Sequence, residues 1–86
     1  MEPILIEIGF LPVQKGLQFD FGNCKLTAIK TFKWLDEIFS FYGYYRSKRT
    51  MGEIQFDLPM KVESYEQGIA LLAYHLRDID FVNIPD

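Results

Sequence analysis

The chain has 86 residues, 49% of them hydrophobic and 16% aromatic, and a formal net charge of −3. That length is one domain, 1–86, which buries roughly 60% of its unfolded surface. The apolar share excludes a disordered chain, and the acidic balance argues against a dedicated duplex-DNA binder, which needs a strongly basic footprint.

In chain order, Ile4, Ile6, Ile8 and Phe10 alternate with Leu5, Glu7 and Gly9, which predicts a strand with one strongly apolar face. Pro12 ends it or marks an edge. Gln14-Lys15-Gly16 reads as a hairpin turn, and Leu17, Phe19 and Phe21 as the return strand. Gly22-Asn23 is a further turn signal. Cys24–Thr27 is a short third strand or the approach to a helix, with Thr27 as a candidate N-cap.

The densest aromatic stretch follows. Taken at 100° per residue, Ala28–Tyr42 predicts an amphipathic helix. Ala28, Phe32, Leu35, Ile38, Phe39 and Tyr42 share one face, and Lys30, Lys33, Asp36, Glu37 and Ser40 the other. Trp34 and Phe41 fall on one line beside Lys30 and Glu37, on the polar side. Either a second element covers them, or they are an exposed pair that anchors a partner, since aromatic side chains dominate binding hot spots. Gly43 is the expected helix cap.

Residues 44–50 then read as a strand. Tyr44, Arg46, Lys48 and Thr50 lie on one face and Tyr45, Ser47 and Arg49 on the other. Aromatic and basic residues on one pleated face are the chemistry that stacks bases and holds phosphates; the plain alternative is an edge strand blunted by charge. Met51-Gly52 suggests a turn. Ile54, Phe56 and Leu58 alternate with Gln55 and Asp57 as another strand, closed by Pro59. Ser64 followed by Gln67 is a capping box that opens a helix running to about Asp78. Tyr65, Ile69, Leu72, Ala73, Leu76 and Ile79 form its predicted core stripe, which leaves Leu71 and Tyr74 as a second small apolar feature. The tail 80–86 is acidic.

The predicted order is β-β-(β)-α-β-β-α: an α+β, two-layer sandwich, with an antiparallel sheet of about four strands and both helices on one face. Such a sheet leaves its other face bare, a second reason to expect a homodimer. Charge is polarised along the chain: residues 1–49 carry seven Lys or Arg and five Asp or Glu, a net +2, and residues 50–86 carry two and seven, a net −5.

Few chemistries survive inspection. One Cys and one His, Cys24 and His75, do not make a metal site and are a weak basis for a nucleophile pair. No phosphate-binding glycine motif occurs, and no metal or cofactor is expected. A lone Cys points to a reducing compartment. The N-terminus lacks the basic start of a signal peptide, and no apolar run is long enough to span a bilayer. The sequence therefore reads as a small cytoplasmic, non-enzymatic protein-interaction module of adaptor, inhibitor or immunity type that self-associates. Its candidate contacts are Trp34, Phe41, Tyr44, Tyr45, Leu71 and Tyr74. The alternative is single-stranded nucleic acid or a phosphate ligand held by Tyr44, Arg46, Lys48 and Arg49.

Overall fold

The first seven helical residues, Glu2–Ile8, make α1 where alternation predicts a strand. Short apolar runs satisfy both periods, and local signals decide this one. Pro3 stands at the start of the helix, where its missing N–H costs nothing. Glu2 lies in the first turn, and Gly9 closes the helix at φ 130° with its N–H bonded to the carbonyls of Leu5 and Ile6. Leu5 is buried, while Ile6 and Glu7 face outward. The structure is a computed structural model and describes residues 1–22, 24–46 and 51–77, with the Arg46 side chain outside the description.

After α1 the chain runs through five strands, β1 (Leu11–Val13), β2 (Gly16–Asp20), β3 (Cys24–Lys33), β4 (Asp36–Arg46) and β5 (Met51–Pro59), then α2 (Tyr65–His75). Every neighbouring pair of strands is antiparallel, and spatial order follows chain order. The expected α+β class with an antiparallel sheet and two helices holds. Among the described residues the order is α-β-β-β-β-β-α, with five strands in place of about four.

The largest correction concerns 28–42. These residues are not a helix; they are the second half of β3, a two-residue turn at Trp34-Leu35, and most of β4. The helical wheel was satisfied by coincidence, because the same residues also alternate. Leu26 and Ala28 on β3, and Phe39 and Phe41 on β4, point to the helices. Thr27, Ile29 and Thr31 on the other side are β-branched and favour strand. Gly43 is consequently no helix cap. It lies inside β4 between Leu26 and Ile54, where a Cβ would stand 2.5 Å from the Lys25 carbonyl oxygen. Met51-Gly52 is likewise strand, paired with Arg46 and Tyr45. Residues 47–50 and 78–86, including Lys48, Arg49 and the acidic tail, lie outside the described residues.

The α2 helix forms as its cap predicts. Ser64 Oγ accepts from the Gln67 N–H at 3.1 Å, and Gln67 Oε1 accepts from the Glu63 N–H at 3.1 Å. Its buried side differs from the predicted stripe: Gly68, Leu72 and Leu76 are covered, while Tyr65, Ile69 and Ala73 are exposed. Gly68 sets that rotation, because a Cβ there would come within 2.8 Å of Ile4 Cγ2 on α1. The helices thus cross with backbone against side chain.

Both helices bury their apolar sides in one core with the inward residues of the sheet, Leu17, Leu26, Ala28, Phe39, Phe41, Ile54 and Leu58. A column of rings runs through it. Phe10 meets Phe19 at 5.5 Å and the edge of Phe41 at 6.1 Å; Phe41 stacks on Phe56 at 4.9 Å, and Phe56 on His75 at 4.4 Å. Phe41 is 0% exposed, which removes it from the candidate contact residues. Deleting a buried Phe ring costs about 3–5 kcal/mol, a large part of the 5–15 kcal/mol typical of a whole domain. Phe41→Ala should therefore lower the urea midpoint severely or leave the chain unfolded. Loss of less than about 1 kcal/mol would refute this place for the ring.

Candidate functional site

The β3–β4 pair outruns its neighbours. β2 ends its pairing at Leu17 opposite Ala28, and β5 ends at Pro59 opposite Ile38. From Lys30 to Glu37 the ribbon is a two-stranded arm. At its end Phe32, Trp34 and Leu35 are 70%, 92% and 96% exposed. Together they offer on the order of 400 Å² of apolar surface, within the range of patches that are often functional.

The turn itself is strained. Lys33 pairs with Asp36, leaving Trp34-Leu35 as a two-residue loop, and Trp34 sits at φ 61°. Positive φ at the first loop residue alone is the position glycine normally takes; a bulky side chain there costs about 1–2 kcal/mol. A strained, bare Trp does nothing visible for folding. The charges beside it are balanced: Lys30 Nζ lies 3.4 Å from Glu37 Oε1, and Lys33 stands opposite Asp36.

A second feature lies on the sheet face away from the helices. Gln18, Lys25, Thr27, Tyr42 and Tyr44 point to that side and line an open groove of about 420 Å³. Thr27 is its buried floor, where Thr27 Oγ1 accepts from Gln18 Nε2 at 3.1 Å. Asp20 is opposite Lys25, and Glu53 is opposite Tyr44, so charge alternates in sign among the described residues here.

The remaining sequence candidates separate. Tyr44 stands exposed in the groove wall. Tyr45 points to the helix side and is half-buried, its ring over Gly52. Leu71 packs against the core and is no open patch. Tyr74 is exposed and carries Arg77 over its ring at 4.3 Å, with the guanidinium also donating to the Tyr74 carbonyl. Of the basic set, Arg46 is the last residue of β4, its side chain outside the description; Lys48 and Arg49 are outside the described residues. The structure thus brings none of the other described candidate side chains to Trp34.

Phe32 and Leu35, the partners it does have, were absent from the sequence candidates because the helical wheel put them on the core face. The signal available was the placement of Lys30 and Lys33 before residues 34–35, and Asp36 and Glu37 after them. Opposite charges flanking a turn are what cross-strand pairing favours.

Cys24 faces inward, buried on β3. Burial pushes its thiol up, with the Asp20 carboxylate adding to the effect; a nucleophile needs the reverse. His75 is stacked on Phe56 and edged by Tyr74. Among the described residues no group of three or more His, Cys, Asp or Glu is arranged to hold a metal ion, and no helix is long and apolar enough to cross a membrane. The chain matches no known family model, no curated protein and no solved structure.

Two outcomes follow. Trp34→Gly should leave the domain as stable as the parent or up to about 1 kcal/mol more stable, since it relieves the turn while loosening the unfolded chain; a loss above about 2 kcal/mol in urea unfolding would make Trp34 a structural residue. For Cys24, whose thiol is raised in the fold, stabilisation is complete below the unfolded-chain value and is lost as pH rises through the folded one. Iodoacetamide at pH 8 should alkylate Cys24 slowly in the native protein and rapidly in urea; equal rates would show an accessible thiolate.

Proposed function

We propose that this protein is a small non-enzymatic interaction module, of adaptor, inhibitor or immunity type, that inserts the β3–β4 tip into an apolar pocket of a protein partner. The observation that carries the reading is the tip itself, where Phe32, Trp34 and Leu35 are bare at the end of an arm with Trp34 at φ 61°. A bulky residue held in a sparsely populated conformation, at a position that contributes no packing, is the pattern expected where strain serves recognition. An aromatic anchor seated in a pocket is the usual energetic centre of an interface.

The collar favours a protein over a lipid surface. Lys30 is paired with Glu37, and Lys33 faces Asp36, which leaves no net positive charge to hold anionic headgroups. The same balance makes association insensitive to salt, unlike phosphate binding. The competing reading, single-stranded nucleic acid on Tyr44, Arg46, Lys48 and Arg49, draws on Tyr44 alone among the described side chains.

A photoreactive diazirine analogue of leucine at position 35 tests the proposal in cells that make the protein. The expected result is an adduct mapping to one apolar pocket of a protein, lost when Trp34→Ala is added and unchanged between low and high salt. Adducts with lipid alone, no adducts, or adducts that survive Trp34→Ala would overturn it. Binding of single-stranded RNA that weakens steeply with salt and ignores Trp34→Ala would put the nucleic-acid reading in its place.

A further inference from the structure

One chain carries both the tip and the groove, and they are complementary. Resting on the tip reading above, we infer that the tip of one copy seats in the outer-face groove of a second copy, so that the protein associates head to tail.

Size is the first argument. The groove of about 420 Å³ falls in the range of roughly 300–1,000 Å³ that takes a compact ligand, and its walls are the Tyr42 and Tyr44 rings over the Thr27 floor. Hydrogen bonding is the second. An indole N–H is a donor only and needs an acceptor when buried. The Gln18–Thr27 bond uses Gln18 Nε2, which keeps Gln18 Oε1 as an acceptor for Trp34 Nε1. Charge is the third. The collar cancels within itself through Lys30 with Glu37 and Lys33 with Asp36, and Lys25 at the groove faces Asp20; among the described residues neither surface repels the other.

The contact has to be between copies. At about 3.3 Å per strand residue, Trp34 is roughly 23 Å along the strand from Thr27, beyond the reach of its own side chain. Each copy therefore presents this knob and this groove well apart. Such a heterologous contact extends to a third copy and further unless the rotation closes a ring. The tip supplies on the order of 400 Å², against about 800 Å² per partner in a standard interface. Assembly is consequently weak and rises with concentration.

Sedimentation velocity over a wide concentration range tests this on the full chain, with far-UV spectra and thermal midpoints to confirm that each variant is folded. The parent should grow past a dimer as concentration rises. A knob variant, Trp34→Ala with Leu35→Ala, and a groove variant, Tyr44→Lys, should each stay monomeric alone. Mixed, they should form a heterodimer and stop there, because one intact knob meets one intact groove. Tyr42→Lys gives a second groove variant should Tyr44→Lys fail to fold.

A parent that is monomeric at every concentration up to about 1 mM, or one that stops at a two-fold dimer, overturns head-to-tail assembly and leaves the tip free for another protein. Assembly that persists in the knob variant overturns this inference, since that contact does not need the tip, and leaves the tip reading to the crosslinking test above. Variants that remain monomeric when mixed also overturn the inference, since a contact between knob and groove must be restored by that mixture.

Discussion

The Phe41 ring is the contact on which the fold depends. It meets Phe10, the first residue after the α1 turn, and stacks on Phe56 of β5, which in turn carries His75 of α2. One side chain on the second-to-last strand thereby links both helices to the sheet. The helices are short, and helices of that length gain their stability from packing rather than from propensity. Remove the platform and neither has a reason to form. The wide meander around it works by the same logic, since each antiparallel strand needs only a neighbour and one buried face.

How much of this was legible depended on how local the signal was. The α2 start could be read because Ser64 and Gln67 bond within one turn. β5 could be read because Ile54 and Leu58 alternate and Pro59 stops the ladder. Residues 28–42 could not, because they fit the helical and the strand period together. What broke the tie was long-range: Phe39 and Phe41 are flanked by Lys30 and Ala28 on one side and by Leu58 and Phe56 on the other. The turn between the strands has no Gly, Asn or Asp to announce it. A Trp forced to φ 61° violates the rule by which such turns are recognised, so the turn that exposes Trp34 was hidden by its own irregularity. Trp34 was picked out for its misplacement on a helical wheel; its exposure has a different origin, the end of an arm.

The chain divides its labour in space. Rings that hold the domain together lie beneath the helices, between Phe19 and His75. Rings that do not, at Phe32, Trp34, Tyr42, Tyr44 and Tyr74, are at the arm's end, on the outer face of the sheet or on the outer side of α2. Among the described residues no ring of one set stacks face to face on a ring of the other, and Tyr74 meets His75 by its edge. Substitutions in the second set therefore act on surfaces with little effect on the core, and substitutions in the first act on everything.

Trp34 is also the chain's one tryptophan. At 92% exposed, its indole is already in water when the protein is native. Intrinsic emission excited at the red edge of the indole band, away from the tyrosines, will therefore barely move when the core melts. It will shift to the blue when the arm is seated against another surface. In this molecule the signal commonly used to follow unfolding is blind to it and reports docking instead.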